Sequence, residues 1–558
     1  MRTGTSRNSN QGNRATRWLA VIAVLVVAML SGTAAVQAEP AARQHSRSTA
    51  ERAPWNTPGY SWTQTLHTDG LAIYAGTLSR PEIKPYWTIT IQAPATSSLT
   101  GNATTSELGS ATWAQQTAQA LRADSQPART DAIRWPDSYT DTPHGIQGYR
   151  VRTGAFTSQT DAQSEATVLK ADGFSTSTVE WTGYDSDQPM NGEQVHVAVI
   201  DPRRLDGSVA ATHGNAIATR TPVSQLASAS GASVAVNGGY FITADADGFQ
   251  GAPSGLAAYQ GKLQAMSVGD RAALVLGEHN DVSIQHLVST VVIQAGRAAH
   301  QVDGLNRKPG LVRDCGRVGL QPTSEPRQDF TCTSADDTVL FTAQFGASLP
   351  VGVGSQATLD STGRVLSVGA RGGSVPAGGS AVQAIGGSAS WLTSHLVVGS
   401  RVRTHEQIRD DRTGRQVDVS ETRGIVSAGP TLVQNGRTAI DAATEGVIDP
   451  ADLSFNYAWG EIRQPRTMAG IDASGRLLLV TVDGRETGIS AGGTTAVSDG
   501  VTLAEGAQLM RELGARQAMN LDGGGSTAMA INGQLVNHPS DPTGERADGD
   551  AIVVTLSR

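Results

Sequence analysis

A helix, a strand and a glycine turn follow one another in residues 501–530, VTLAEGAQLMRELGARQAMNLDGGGSTAMA. Thr502 and Glu505 form a capping box at the start of the helix, and the apolar residues of 502–513 lie on one face. The apolar run that follows is typical of a buried strand. We therefore expect an amphipathic helix to pack on a sheet, and the strand to place Asp522 at its carboxyl end.

The turn after this strand carries polar groups suited to an anion. It consists of Asp522, Gly523, Gly524, Gly525, Ser526 and Thr527. Glycine lets backbone N–H groups approach a ligand because no Cβ stands in the way. Those N–H groups suit phosphate above all, and the two hydroxyls add donors. We expect the turn to bind phosphate, and Asp522 to act as a nucleophile or as the base for water.

An earlier turn has the same plan. Residues 234–236 have the pattern of a strand that leads into Asn237, Gly238 and Gly239. If the ligand is a sugar derivative, we expect Asn237 to hydrogen bond its hydroxyls and the two glycines to lie against it. If the two turns form one site, their strands are parallel neighbours, and the side chains of Asn237 and Asp522 lie within ~10 Å, the scale of carboxylate separations in glycosidases. The alternative is two tight turns whose Asn and Asp cap local backbone.

Two further segments, QPRTMAGID (464–472) and VTVDGRETG (480–488), place charged residues next to an apolar strand. We expect Arg466 and Arg485 to bind phosphate, because the planar guanidinium can bond two of its oxygens at once. Asp483 is expected to be the second carboxylate of the site. The alternative for each arginine is a solvated surface side chain.

The composition indicates a globular, sheet-rich protein. Of 558 residues, 39% are hydrophobic and 17% charged, and the 63 glycines point to many tight turns. The net charge of −8 gives no reason to expect nucleic-acid binding. Because the chain has no P-loop, HExxH or CxxC pattern, we predict no cofactor and no metal site. Residues 190–558 are predicted to form an α+β domain dominated by sheet, with helices at about 222–230 and 502–513.

The N-terminus has the pattern of an export signal. Arginines precede an apolar run at 18–30 and small residues follow, so we predict a cleaved signal peptide over 1–38. The alternative is an uncleaved membrane anchor, but the run is shorter than the ~20 residues that span a bilayer. Residues 39–58 are polar and contain prolines, as in a linker. We expect the mature chain to be secreted or cell-wall associated, with no membrane segment.

Export also bears on the two cysteines, Cys315 and Cys332. In an oxidising compartment they are expected to pair, and a disulfide that closes so short a loop contributes ~3 kcal/mol on the loop-entropy model. The alternative is two independent buried thiols. We interpret the pair as structural because neither cysteine has a nearby histidine to activate a thiol.

Residues 59–185 contain an internal repeat of strand, helix and strand. Apolar residues spaced i, i+4 and i+7 mark its two helices: Ala114, Ala118 and Leu121, then Ala162, Ala166 and Leu169. Two βαβ units predict a small ferredoxin-like sheet of four strands with both helices on one face. The second copy, GYRVRTGAFTSQTDAQSEATVLKADGF (148–174), resembles the SPOR domain, which implies binding to peptidoglycan. The alternative is a generic packing module.

Five segments occur in the order in which the phosphodiester glycosidase family has them. They are AVNGGYF (235–241), SAGPTLVQNG (427–436), QPRTMAGID (464–472), residues 501–530 and VNHPSDPTGERADGDAIVV (536–554). The chain resembles that family over about 190–558, although the family's Arg-x-Val is Arg546-Ala-Asp in this sequence. The resemblance implies hydrolysis of a sugar-1-phosphodiester to a free sugar and a phosphomonoester, with Arg546 as a further phosphate contact.

These observations predict an exported glycosidase that acts on phosphate-linked glycans of cell surfaces, wall teichoic acids among them. Such a reaction needs cations or N–H groups at the leaving phosphate and a carboxylate near the anomeric carbon. Two alternatives stay open. The domain could be a non-catalytic glycan-binding module, or a metal-dependent phosphodiesterase that cleaves P–O with Asp483 and Asp522 as ligands.

Overall fold

The computed structural model describes residues 55–95, 105–315, 326–449, 453–486 and 498–557. The predicted signal peptide and most of the predicted linker lie outside these residues. Strands dominate them, in agreement with the predicted α+β class. None of their helices is long and apolar enough to cross a membrane. The helices are Ala111–Ala123, Gln159–Ala171, Val223–Ser230, Gly387–His395, Leu453–Asn456 and Leu503–Glu512, with a π-helical turn at Tyr457–Glu461 and 3-10 turns at Val419–Glu421 and Gly524–Ser526.

An eight-stranded antiparallel sheet, which we call the site sheet, lies at the centre of the C-terminal region. Its strands in spatial order are Tyr60–Thr68, Leu71–Ser79, Gly192–Ile200, Leu477–Val482, Arg466–Asp472, Ala515–Asn520, Thr431–Gln434 and Arg437–Thr438. One face packs against the helix Leu503–Glu512, and the predicted capping box of Thr502 and Glu505 is present. The helix and the strand that follows it therefore lie where the sequence predicts them.

The other face of the site sheet packs on a five-stranded antiparallel sheet, which we call the companion sheet. Its strands in spatial order are Gly207–Thr212, Ala551–Leu556, Val234–Asn237, Met529–Ile531 and Gln534–Leu535. Val236, Met519 and Leu521 meet in the core between the sheets. The helix Val223–Ser230 covers the outer face of the companion sheet. The layers are therefore helix, site sheet, companion sheet and helix.

This layering differs from the expected parallel pair of strands. Asn237 ends a strand of the companion sheet, whereas Asp522 follows a strand of the site sheet. The two turns still meet, because the backbone N–H of Asp522 donates to the carbonyl of Gly238 at 3.0 Å. Two short apolar strands show by their pattern that they are buried, but the pattern does not show whether they share a sheet or face each other.

Residues 257–427 form a second pair of sheets around a separate core. The larger has, in spatial order, Lys262–Ala265, Ala257–Tyr259, Thr422–Ser427, Ala272–Gly277, Val282–Ala295, Val402–Asp410 and Gln416–Val417, with Ala298–Val302 also paired to Val282–Ala295. The smaller has Gly304–Leu305, Asp337–Phe341, Ser380–Ile385, Ser355–Leu359 and Val365–Gly369. The helix Gly387–His395 packs on the smaller sheet and is absent from the sequence prediction. Its N-cap is Gly386, which makes no side-chain cap bond, so the usual start signal is missing.

Three two-stranded ladders complete the strands. They are Leu311–Arg313 with Thr331–Thr333, Thr221–Pro222 with Ala547–Asp548, and Ala93–Pro94 with Thr105–Ser106. The predicted disulfide between Cys315 and Cys332 is confirmed, with Cα atoms 5.9 Å apart. It is buried beside the first ladder with Val312 and Phe330, as a structural bond should be.

Residues 87–181 form a separate sheet with two helices, which we call the N-terminal module. Its antiparallel strands in spatial order are Arg129–Arg134, Ile146–Phe156, Trp87–Ile91 and Ser177–Trp181. The helices Ala111–Ala123 and Gln159–Ala171 bury the alanines and leucines that the repeat marks. This strand order is that of two interleaved βαβ units.

The boundary predicted between 185 and 190 does not separate two structural units. Strands Tyr60–Thr68 and Leu71–Ser79 lie in the site sheet, where Leu71–Ser79 pairs with Gly192–Ile200. The region 59–185 thus contributes to two different sheets, because strand pairing between distant segments leaves no local mark in the sequence.

Candidate active site

A cavity of about 400 Å³ lies where strands of the site sheet end beside the companion sheet. Of the residues singled out in the sequence, those that line it are Arg466, Arg485, Asp522, Gly523, Gly524, Gly525 and Arg546. Those that do not line it are Asn237, Gly238, Gly239, Asp483, Ser526 and Thr527. The cavity therefore brings one predicted carboxylate and three arginines from distant positions to one place.

Asp522 supplies a carboxylate to this cavity from the end of the strand Ala515–Asn520. The backbone of Asp522 is held in place because its carbonyl accepts a hydrogen bond from Asn237 Nδ2 at 2.7 Å. Burial raises the pKa of its carboxyl to about 7, against the opposing hydrogen bonds of Ser526 and Gly523. A carboxyl group with that pKa can take a proton from water near neutral pH.

Arg466 is held firmly in the cavity wall. Its Nε donates to the carbonyl of Val501 at 2.9 Å, and its Nη2 donates to the carbonyl of Trp459 at 2.8 Å. The guanidinium carbon lies 5.4 Å from the centre of the Trp459 ring. Burial lowers the pKa of Arg466 to about 10, so the side chain keeps its positive charge at neutral pH. The cavity therefore has a fixed cation that a dianionic or monoanionic phosphate could meet.

Arg485 and Arg546 bring two more guanidinium groups to the same cavity. Arg485 has a φ of 62° and donates to Gln464 Oε1, while Arg546 bonds Asp541 at 2.8 and 2.9 Å. Burial and then the charge of Arg546 lower the pKa of Arg485. Like charges held this close favour an anion between them.

The backbone of the glycine turn does not form the expected set of free donors. The N–H of Gly524 donates to the carbonyl of Pro465 at 2.8 Å, and the N–H groups of Ser526 and Thr527 donate to carbonyls within the turn at 3.1 and 3.2 Å. The side chains of Ser526 and Thr527 are buried and do not line the cavity. This geometry does not suit the phosphate-binding role expected for these N–H groups and hydroxyls.

One glycine of this turn instead makes room for an arginine. Gly524 has a φ of 61°, which favours glycine, but a Cβ added there would lie at an ordinary contact distance of 3.4 Å from Nη2 of Arg485. A Cβ on Gly525 would collide with the guanidinium of Arg546. The positive charge at the turn therefore comes from side chains packed against it rather than from its own amides.

Asn237 supports Asp522 from behind and does not reach the cavity. It is 1% exposed, and its Oδ1 accepts from the hydroxyl of Thr467 and, at 3.1 Å, from the N–H of Ala528. Its Nδ2 is bonded to the Asp522 carbonyl. The two residues are in contact, as expected, but this geometry does not suit the sugar-binding role expected for Asn237.

Gly238 and Gly239 are packing residues. Their N–H groups donate to the carbonyl and the Oδ1 of Asp550 at 3.1 and 2.9 Å. A Cβ on Gly238 would collide with the Asp550 carboxylate, and a Cβ on Gly239 with the carbonyl of Ser427. The sequence suggested that these glycines contact the substrate. In the structure they instead contact Asp550, next to the last strand of the chain, and Ser427.

Asp483 lies outside the cavity and is not positioned as a second catalytic carboxylate. It is 3% exposed, and its two oxygens accept from Asn537 Nδ2 and from the N–H of His538, each at 3.0 Å. Asn537 also donates to the carbonyl of Thr527 at 3.0 Å. Asp483 therefore ties the C-terminal tail to the glycine turn. Burial raises its pKa to about 7.

A different carboxyl group, Asp548, lies near Asp522 and was missed by the sequence analysis. It is 2% exposed. Burial and then the charge of Asp522 raise the pKa of Asp548 well above its usual range. A neutral Asp548 can sit beside an ionised Asp522 without repelling it. The sequence contains a signal for this residue, because Asp548 stands where the family has the valine of its Arg-x-Val pattern.

Aromatic side chains form another wall of the cavity: Tyr240, Phe241, Phe455 and Trp459. The rings of Tyr240 and Trp459 are 6.2 Å apart and nearly perpendicular. Such rings offer a flat apolar surface for the C–H face of a sugar. Tyr240 and Phe241 lie in a segment already noted for its resemblance, whereas Trp459 lies in no motif that the sequence reveals.

Charged residues beside the disulfide line the cavity as well. Asp314 is 1% exposed and pairs with Arg271 at 2.8 Å, while Nη2 of Arg313 bonds Asp329 at 2.6 Å. Cys315 directly follows this acid–base network, so the disulfide fixes a wall of the cavity. The sequence predicted the bond but not its place beside the site.

His286, Asp441 and Glu445 bring three potential metal-ligating atoms within 4.8 Å of one another among the described residues. Each is already hydrogen bonded. Nδ1 of His286 lies 2.8 Å from the carbonyl of Asp270, and Glu445 accepts from the N–H groups of Ala272 and Thr431 at 2.9 and 2.8 Å. These bonds account for the cluster as a buried polar network, and it does not include Asp483 or Asp522.

Comparison with known proteins gives a family match for the C-terminal part of the chain. Residues 354–555 match the family model described as phosphodiester glycosidase. The mouse N-acetylglucosamine-1-phosphodiester alpha-N-acetylglucosaminidase is 30% identical over 118 residues, which are 21% of this chain and 21% of the mouse protein. The chain thus aligns with about a fifth of the length of the curated relatives it matches.

Two solved structures share the fold. A protein of Burkholderia pseudomallei K96243, described only as an assumed exported protein, has 27% identity and a TM-score of 0.75, covering 90% of this chain and 98% of that chain. A hypothetical protein from Synechocystis has 17% identity and a TM-score of 0.50, covering 89% and 76%. Because Arg466, Arg485, Asp522 and Arg546 all fall within the matched range, residues 354–555 carry the sequence signature of the phosphodiester glycosidase family together with the charged wall of the cavity.

Proposed function

We propose that this chain is an exported hydrolase that cleaves sugar-1-phosphodiesters in phosphate-linked glycans of cell surfaces. The observation that carries the proposal is the cavity that Asp522 shares with three arginines and with the rings of Tyr240 and Trp459. A carboxylate, a cationic wall and an aromatic wall are the three features that such a substrate needs. The family match over residues 354–555 supports the same chemistry.

In the proposed reaction the bond between the anomeric carbon and the phosphate oxygen breaks. Asp522 takes a proton from the attacking water, or attacks the anomeric carbon itself before water releases the sugar. Arg466, Arg485 and Arg546 stabilise the negative charge of the departing phosphomonoester. The leaving group needs little help from an acid, since a phosphomonoester departs readily as an anion. The products are a free sugar and a phosphomonoester.

The experiment is an assay of the purified chain on an N-acetylglucosamine-α-1-phosphodiester in ¹⁸O-labelled water. Cleavage of the C–O bond places the label in the released sugar, and cleavage of the P–O bond places it in the phosphate. Asp522→Asn is the inactive comparison, and Asp548→Asn is its matched control. Label in the phosphate would replace the proposal with the phosphodiesterase alternative.

The non-catalytic alternative makes a different prediction. A glycan-binding module would retain the phosphodiester without releasing sugar, and Asp522→Asn would bind it as well as the unchanged chain does. Calorimetric titration beside the assay separates the two. The cavity favours the enzyme, because burial raises the pKa of Asp522 towards neutrality, which a binding site does not require.

Export and peptidoglycan binding are separate proposals. Export through the predicted signal is tested by sequencing the N-terminus of the protein recovered outside the cell, which we expect to begin after Ala38. Peptidoglycan binding, which the SPOR resemblance implies, stays a prediction. Co-sedimentation with purified cell-wall sacculi tests it.

A further inference from the structure

Residues 453–461, a short helix followed by a π-helical turn, lie between the cavity and the N-terminal module. On one side this segment contributes Phe455, Ala458 and Trp459 to the cavity. The carbonyl of Trp459 also accepts the hydrogen bond that fixes Arg466. Its placement therefore sets the aromatic wall and one of the three cations.

The other side of the segment is hydrogen bonded to the N-terminal module and to Asp185, which lies just after the module's last strand. The hydroxyl of Tyr457 accepts a hydrogen bond from Nη1 of Arg150 and donates to the carbonyl of Asp185 at 3.2 Å. The hydroxyl of Ser454 lies 2.6 Å from that of Ser106. Tyr457 is 2% exposed, so these bonds are shielded from water.

The face of the module's sheet from which Arg150 projects is buried at its two central strands. Its helices cover one face of the sheet through Leu121 and Leu169. The side chains on the opposite face of its two central strands, Thr88, Thr90, Arg150 and Arg152, are each at most 1% exposed. Both arginines pair with the carboxylates of Asp185 and Asp187, and Arg152 also bonds Glu180 at 2.6 Å.

A buried face of paired charges holds its neighbour in one register, because a shift would leave charges without partners. Neither face of the central strands is open to a glycan. Through Arg150 and Tyr457 this buried face contacts the segment that lines the cavity.

We propose that the N-terminal module is a positioning element of the active site, and that the bond from Arg150 to Tyr457 holds residues 453–461 so that Trp459 and Phe455 line the cavity. The kinetic effect expected from this role rests on the proposed function, whereas the positioning of residues 453–461 does not. Tyr457 is a positioning residue, since it touches Arg150 and Asp185 and does not line the cavity.

The test is Tyr457→Phe in the full chain, which keeps the ring and removes the hydroxyl. Tyr149→Phe is the matched control, because Tyr149 lies on the same strand as Arg150 but has no bond to the segment. Amide hydrogen exchange across 453–463 should become at least about fivefold faster in Tyr457→Phe, with exchange in the helix Gln159–Ala171 unchanged. This arm needs no substrate.

The kinetic arm uses the N-acetylglucosamine-α-1-phosphodiester. The segment sets the aromatic wall, which binds substrate and transition state alike, and it fixes Arg466, which stabilises the departing phosphate. Tyr457→Phe should therefore lower kcat/KM about three- to tenfold, through a higher KM and a lower kcat together. The effect should shrink when Trp459 is already alanine, since the two changes then act on one interaction. Unchanged exchange in Tyr457→Phe would overturn the proposal. Faster exchange in a chain that hydrolyses no phosphodiester would instead sustain the positioning role and remove the proposed function.

Discussion

The two glycine turns have the same plan in sequence and opposite roles in the molecule. Asn237 and its glycines are buried, hydrogen bonded to neighbouring backbone and side chains, and outside the cavity. Asp522 and its glycines line the cavity beside two arginines. The shared pattern reports close approach of backbone at a strand end, which both turns have. The first turn packs against Asp550 and supports the second turn. The second turn packs against the charged side chains of the cavity wall.

The comparison shows that a polar residue at the end of a buried strand need not face a ligand. The side chain of Asn237 forms hydrogen bonds with Asp522, Thr467 and Ala528, so it stabilises the turn that contains the proposed catalytic carboxylate. Substitutions in the two turns should therefore separate activity from stability.

The largest effect is expected at Asp522. Asp522→Asn should lower kcat about 10³-fold, because the group that activates or replaces water is lost. Its melting temperature should not fall at pH 8, since burial raises the pKa of Asp522 and an amide avoids burying that charge. Steady-state kinetics and thermal unfolding measure both. Asp548→Asn should change kcat by less than about threefold, because burial and the charge of Asp522 raise the pKa of Asp548 and the proposed reaction assigns it no proton transfer. Equal losses in the two variants would break the distinction drawn between these carboxyl groups.

The next effect concerns the cationic wall against which the second turn packs. Arg485→Gln should lower kcat/KM about 10²-fold, because one of the charges that stabilise the departing phosphate is removed. The control is Arg476→Gln, whose side chain pairs with Asp472 away from the cavity. Activity on phosphodiesters of increasing charge would show whether Arg485 contacts the phosphate. A loss equal to that of Arg476→Gln would assign the binding to other groups.

The first turn should respond in stability. Asn237→Ala should lower the free energy of unfolding by about 2–3 kcal/mol, because it leaves the Asp522 carbonyl and the Ala528 N–H without partners. Gly238→Ala should cost about 1–3 kcal/mol, since its Cβ would meet Asp550. Gly369→Ala is the control, because nothing lies within 4 Å of the added Cβ. Denaturant unfolding measures all three. If Asn237→Ala kept its stability and lost only substrate affinity, Asn237 would be a ligand of the sugar after all.

The last prediction concerns the dependence of activity on pH. Burial raises the pKa of Asp522 to about 7, and the proposed base is its ionised form. The ionised fraction therefore falls as the pH drops through that value, so kcat/KM should decline about tenfold per pH unit below about 7. A profile that falls above pH 7 instead would show that Asp522 acts as an acid.

Part of this architecture follows from sequence because it depends on neighbours along the chain. The capping box of Thr502 and Glu505 and the i, i+4, i+7 spacing in the N-terminal module are local, and the helices occur at those places. Arg466, Arg485 and Asp522 could be grouped because arginine and carboxylate are the residue types that the chemistry requires. The helix Gly387–His395 was not predicted because it has no capping side chain at its start.

What the sequence determined by itself is therefore the set of buried strands, the capped helices, the cysteine pair and the residue types that could act on a phosphodiester. Only the tertiary structure decided that Asp522 and the arginines share a cavity, that Asn237 and Asp483 support them from outside it, and that Trp459 completes the wall. The physical reason is that helix formation and strand burial depend on residues a few positions apart. The partner that a polar group meets depends on which sheets pack together across the whole chain.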